Sequence, residues 1–113
     1  YESLALKYRY AIEQLSAVTG RAFTTLHVLG GGTKDRLLCQ MTADCCGLTV
    51  KAGPVEATAL GNIMIQLKAL GLLDSITQGR RLIAETEVIK TYTASTQNYA
   101  EWNAAYDHFK TLL

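Results

Sequence analysis

The chain is poor in the residues that mark several classes of protein. It has one proline and 19% charged residues, and its 11 Lys and Arg against 10 Asp and Glu leave a net charge of +1. The cations are scattered, so nothing forms the basic stripe that nucleic-acid binding needs. No apolar run approaches the roughly 18 to 20 residues of a membrane span. A basic segment, apolar stretch and small-residue cleavage site in the order of a secretory leader is also missing. The three cysteines, Cys39, Cys45 and Cys46, are odd in number and lie in a helical pattern. That argues against a disulfide framework, and their spacing matches no zinc site. They read as core or surface thiols in a reducing, cytoplasmic setting. There is no internal repeat, no low-complexity segment and no carboxylate cluster suited to a metal cage.

What is present suits a globular protein: 49% of 113 residues are hydrophobic, enough for one small domain or a piece of a larger one. The helical pattern is already under way at Tyr1, which suggests a piece of a longer chain. Apolar residues at Leu4, Tyr8, Ala11, Leu15 and Val18 step by three or four, the mark of a buried helical face. Ser3 is the candidate N-cap, and Gly20 stands where a left-handed C-terminal residue belongs. Ala22 to Leu29 is rich in Thr, Phe, Leu and Val and reads as a strand.

Gly30, Gly31 and Gly32 follow directly. Leu37, Leu38, Met41, Cys45 and Cys46 then outline a helix closed by Gly47, and Leu48 to Ala52 reads as a second strand. Pro54 suits the first turn of a third helix, where its missing N–H costs nothing. That helix carries Leu60, Ile63, Met64, Leu67 and Leu70 and stops at Gly71. Arg80 to Ile89 reads as a short helix and Thr91 to Ser95 as a loop. Tyr99, Trp102, Tyr106, Phe109 and Leu113 form an aromatic stripe at helical spacing, read as core-facing. The expected class is α/β: helix-rich, with a short parallel strand pair joined by a right-handed crossover. Two strands are few for a free-standing sheet, which again suggests a missing partner.

Strand, three glycines and helix is a geometry that lets a phosphate or nucleotide approach. Glycine allows positive φ and close backbone contact, and the following helix directs free N–H groups at an anion. The bland alternative is a tight strand-to-helix turn, because the triplet matches neither the dinucleotide fingerprint nor a P-loop. A second feature is the run Gly53 to Asn62. Glu56 there favours the positive end of the helix dipole. Ala57 and Gly61 share a face almost without side-chain bulk, suited to a neighbouring helix or a flat ligand. Asp35, Asp44, Glu56, His27 and His108 are the candidate acids and bases, but no Ser/His/Asp arrangement emerges. His27, alone on a strand, reads as structural.

Leu26 to Gly32, Leu37 to Met41 and Ala43-Asp44 resemble the C-terminal nucleotide motif of the FGGY carbohydrate kinases. Ala52 to Ile63 and Ser3 to Arg9 are similar to the branch of that family that acts on L-rhamnulose. The likeness runs over nearly the whole chain and thins after about Ser75. It implies an actin-like ATPase fold of two ribonuclease-H-like domains. Residues 1–113 would be the C-terminal portion of the second, nucleotide-binding domain.

By that resemblance Gly30, Gly31 and Gly32 pass under the adenosine and α-phosphate of ATP, with Asp35 near the adenine. Asp35 replaces an Asn common in the family, so it accepts a hydrogen bond there but cannot donate one. Gln40, Glu56 and Gly61 fit structural positions of the motif. The implied reaction moves the γ-phosphoryl group of ATP, with Mg2+, to L-rhamnulose. The catalytic base and most of the sugar site would lie upstream, in residues this sequence does not include, so the fragment alone should be inactive. The alternatives are a sister kinase for xylulose, fuculose or glycerol, and a non-catalytic actin-like nucleotide-binding or interaction module.

Overall fold

The structure, a computed structural model, describes all 113 residues, Tyr1–Leu113. Its elements in chain order are α1 (Glu2–Thr19), β1 (Thr25–Val28), a 3-10 turn (Gly30–Lys34), α2 (Arg36–Cys46), β2 (Thr49–Ala52), α3 (Ala57–Ala69), α4 (Ile76–Thr86), β3 (Lys90–Tyr92) and α5 (Tyr99–Thr111). The sheet has the order β1-β2-β3. β1 and β2 run parallel, with Val28 beside Ala52, as the crossover through α2 requires. β3 pairs antiparallel to β2, with Lys90 beside Ala52 and Tyr92 beside Val50. The expected two-stranded parallel pair is therefore a three-stranded mixed sheet. Thr91, expected in a loop, sits in a strand of three residues, too short to show an alternating pattern.

α2 is the centre of the packing. Cys39 and Ala43 on one side meet Val50 and Ala52, with Leu26, Val28 and Tyr92 around them. On its other side Cys45 joins Ala5, Leu6 and Tyr106, flanked by Tyr10, Met41, Trp102 and Phe109. Arg9 ties α1, α2 and α5 together: it donates to the Cys45 carbonyl at 3.2 Å, pairs with Glu13 at 3.2 Å and lies 4.2 Å from the Tyr106 ring centroid. The Tyr106 hydroxyl donates to the same Glu13. Three helices thus meet through one cation whose charge is answered on each side.

Several expected boundaries move. Ser3 is not the N-cap of α1; the helix starts at Glu2, without a side-chain cap, and Ala5 N–H already donates to the Tyr1 carbonyl. The stripe Leu4, Tyr8, Leu15 and Val18 is exposed, Val18 by 84%, while Ala5 and Leu6 are buried instead. The first strand is four residues long, not eight. Pro54 lies outside α3: its peptide bond with Gly53 is cis, and the helix begins only at Ala57, with Glu56 as its N-cap. The helix expected at Arg80 begins earlier, at Ile76, because the Ser75 hydroxyl accepts from Gln78 N–H at 3.1 Å and caps it. Of the aromatic stripe, Tyr106 is buried, whereas Tyr99 and Leu113 are exposed.

α3 and α4 pack on each other around Gly79, where an added Cβ would collide with the Met64 side chain. No residue of α3 is fully buried. The radius of gyration is 16.7 Å, against about 13 Å for a compact domain of this length. Only 14 residues are buried, so this extended shape leaves apolar helix faces uncovered.

Candidate functional site

The candidate site grows from the carboxyl ends of the parallel strands. Val28 and Ala52 end β1 and β2 side by side. The chain leaves them through two loops, Leu29 to Asp35 and Gly53 to Glu56. The loops are stitched together: Gly53 N–H donates to the Val28 carbonyl at 2.9 Å, and Gly30 N–H to the Pro54 carbonyl at 3.3 Å. In open α/β sheets this end, where strands give way to loops, is where ligands are held.

The glycines of the two loops differ in what the chain demands of them. Gly30 has φ +78°, which side chains rarely adopt, and it turns the strand into the 3-10 segment. Gly53 has φ +132°, and a Cβ there would meet the Val88 carbonyl oxygen at 2.7 Å. Gly31 has neither constraint: its φ is ordinary, and a Cβ would find nothing within 4 Å. Gly32 is equally unstrained, with its nearest neighbour, Val28 Cγ1, in normal contact at 3.8 Å. At Gly31, therefore, nothing within the chain demands a glycine, and the backbone faces open space.

The turn is held from below. The Thr33 hydroxyl, in a buried residue, donates to the Gly30 carbonyl at 2.7 Å. Cys39 Sγ lies 3.8 Å from the Gly32 carbonyl. Asp35 is the N-cap of α2, and its Oδ1 accepts from Leu38 N–H at 3.1 Å. The Tyr1 hydroxyl, and after it the Leu38 N–H, hold the Asp35 carboxyl below its ordinary value. One carboxylate oxygen is thus committed to the helix. The four candidate residues Gly30, Gly31, Gly32 and Asp35 form one continuous turn.

The other candidates have structural partners or stand apart. Gln40 Nε2 donates to Asp44 Oδ1 at 2.8 Å and to the Thr93 carbonyl at 2.9 Å, and Ser95 N–H donates to the same Asp44 oxygen at 2.8 Å. Together they pin the chain after β3 to α2. Glu56 caps α3 by position only, with no side-chain bond. At Gly61 a Cβ would find nothing within 4 Å, so the small face it shares with Ala57 is not filled by another helix of this chain. His27 and His108 are both exposed, on β1 and α5. The sequence reading passed over Thr33 and the steric demand at Gly53. The first had a signal, a hydroxyl three residues beyond a glycine turn; the second depends on Val88, which the pattern gave no reason to place there.

A family model described as the C-terminal domain of the FGGY family of carbohydrate kinases matches residues 1–70. A rhamnulokinase of Bacteroides thetaiotaomicron is 48% identical over 110 residues, covering 97% of this chain and 22% of the relative. A rhamnulokinase of an Enterobacter species is 41% identical over 107 residues, 94% of the chain and again 22% of the relative. One from Klebsiella pneumoniae is 42% identical over 93 residues, 82% of the chain and 19% of the relative. The chain thus spans about a fifth of the length of these relatives.

Proposed function

The chain belongs to the FGGY family of carbohydrate kinases, and from that premise we propose that it is nucleotide-binding machinery of a cytoplasmic kinase for L-rhamnulose. The kinase moves the γ-phosphoryl group of ATP to a hydroxyl of the sugar, giving L-rhamnulose 1-phosphate and ADP. Residues 1–113 are the C-terminal portion of its second, ribonuclease-H-like domain. The names of the relatives support the sugar. The observation that carries the nucleotide site is Gly31, a glycine with no conformational or steric need for it inside the chain.

ATP fits this turn. Gly30 sets the bend, Gly31 and Gly32 keep side chains out of the approach, and Thr33 holds the turn rigid through the Gly30 carbonyl. Asp35 stands at the end of this turn as a hydrogen-bond acceptor, already engaged by Leu38 N–H and the Tyr1 hydroxyl, and an adenine amino group there would share that carboxylate. Mg2+ supplies charge neutralisation at the transferring phosphates. No three His, Cys, Asp or Glu side chains gather in this chain, and Mg2+ would be carried in with the phosphates it binds. No residue of this chain is assigned as the base that receives the sugar's proton.

Two exposed features support the larger domain. β1 is an edge strand with no partner on its outer side. Beside it runs an apolar groove of about 330 Å³, lined by Tyr8, Ala11, Ile12, Leu26, Val28 and Leu38 among others. An open edge next to an apolar groove is what a sheet shows where further strands pair. Without those strands the chain binds ATP weakly and transfers no phosphate.

The test is Gly31→Trp in the intact kinase. Its ATP affinity should fall at least about tenfold, while the unfolding transition stays in place because the side chain enters open space. Unchanged affinity would remove the glycine turn from the nucleotide site.

A further inference from the structure

We propose that the shallow groove between the start of α2 and the start of β3 is a second binding site, one that takes a phosphate-bearing anion. It has a volume of about 400 Å³ and is lined by Arg36, Lys90, Thr91 and Tyr92. Arg36 opens α2 and Lys90 opens β3, so two cations distant in sequence are brought to one concavity by the pairing of β3 with β2. No carboxylate lines it.

Neither cation is neutralised within the chain. The ion pairs are Arg9 with Glu13 and Lys110 with Asp107. The carboxylate next to Arg36 in sequence, Asp35, accepts from Leu38 N–H, and Asp44 further along α2 accepts from Gln40 and Ser95. Two cations facing one groove repel each other, and an anion between them turns that repulsion into attraction on both sides. A guanidinium fork and an ammonium are the pair of groups suited to a phosphate, the first by bidentate donation and the second as a point charge. The Thr91 side chain is exposed and adds a free hydroxyl donor. The Tyr92 ring backs the groove from the sheet, and its own hydroxyl is buried with no partner.

The site adjoins the glycine turn through the chain itself, since Arg36 follows Asp35 and Lys90 pairs with Ala52, one residue before Gly53. The bound phosphate therefore belongs either to a nucleotide on that turn or to a separate phosphate or phosphate ester. The groove's own chemistry does not rest on the nucleotide reading.

The experiment is a 15N TROSY NMR titration of the intact protein with inorganic phosphate at low ionic strength, repeated for Arg36→Gln, Lys90→Gln and the double variant. The expected result is a saturable shift centred on the amides of Arg36, Lys90 and Thr91. Each single substitution should weaken it about tenfold, as loss of one charge-assisted hydrogen bond does. Arg36→Lys and Lys90→Arg, which keep the charge, should retain most of the binding. Absence of a saturable shift at these amides, or equal binding by the double variant, would overturn the proposal. Parallel titrations with ATP, adenosine and phosphate in Gly31→Trp identify the source. Groove shifts from ATP that vanish in Gly31→Trp mean a nucleotide phosphate; free-phosphate shifts that persist there mean a separate ligand. Normal ATP binding by Gly31→Trp would fail the nucleotide reading while leaving the groove standing.

Discussion

Gly53→Ala is the sharpest perturbation the fold offers. Gly53 has φ +132°, and an added Cβ would sit 2.7 Å from the Val88 carbonyl oxygen and 3.3 Å from the Ile89 Cα. Both obstacles are backbone, and both lead directly into β3, whose Lys90 pairs with Ala52. They cannot yield as a flexible side chain would without lifting β3 from the sheet. Backbone strain at such a φ costs about 1–3 kcal/mol, and forced overpacking about 1–3 kcal/mol more. A loss of about 3 kcal/mol is therefore expected, a large share of the stability of a small domain. Gly31→Ala is the control: with ordinary φ and open space it should stay within about 0.5 kcal/mol of the parent. Urea unfolding followed by circular dichroism measures both. A Gly53→Ala protein within about 0.5 kcal/mol of the parent would refute the packing of β3 against this glycine.

Other predictions follow from the caps. Ser75→Ala removes the acceptor for Gln78 N–H and should cost about 1 kcal/mol, read from the same urea transitions; no change would mean that α4 does not depend on this cap. Asp35→Ala should destabilise in a pH-dependent way. The Asp35 carboxyl is held below its ordinary value of 3.8 in the fold, so its contribution is fully present above that value and is lost as pH falls through the lowered folded value. The gap between parent and variant should therefore be open at neutral pH and close in acid. A gap that widens on acidification would contradict the cap.

The sequence carried the local punctuation well and the long-range assembly poorly. Gly20 and Gly47, read as helix stops, have φ of 68° and 66° and close α1 and α2. The three-glycine turn stands between strand and helix as its spacing implied. Ser75 was available as a cap but went unused in the reading, which placed α4 four residues late. β3 was missed because a strand of three residues has no period to detect; its existence depends on pairing with β2, a contact set by the fold. Pro54 was read by its preference for a helix start, yet α3 begins only at Ala57, and the loop before it passes close to Val88 at Gly53. The apolar stripe of α1 teaches a different lesson. Periodicity marks a face that wants cover, but it does not say that the cover lies within the same 113 residues.

The central claim is tested most directly by a coupled ADP-release assay on the intact kinase, offered L-rhamnulose, L-fuculose, D-xylulose and glycerol in parallel. Turnover that clearly favours L-rhamnulose, and falls with Gly31→Trp, is the predicted result. ATP binding with no turnover of any of the four, or equal turnover by Gly31→Trp, would contradict it.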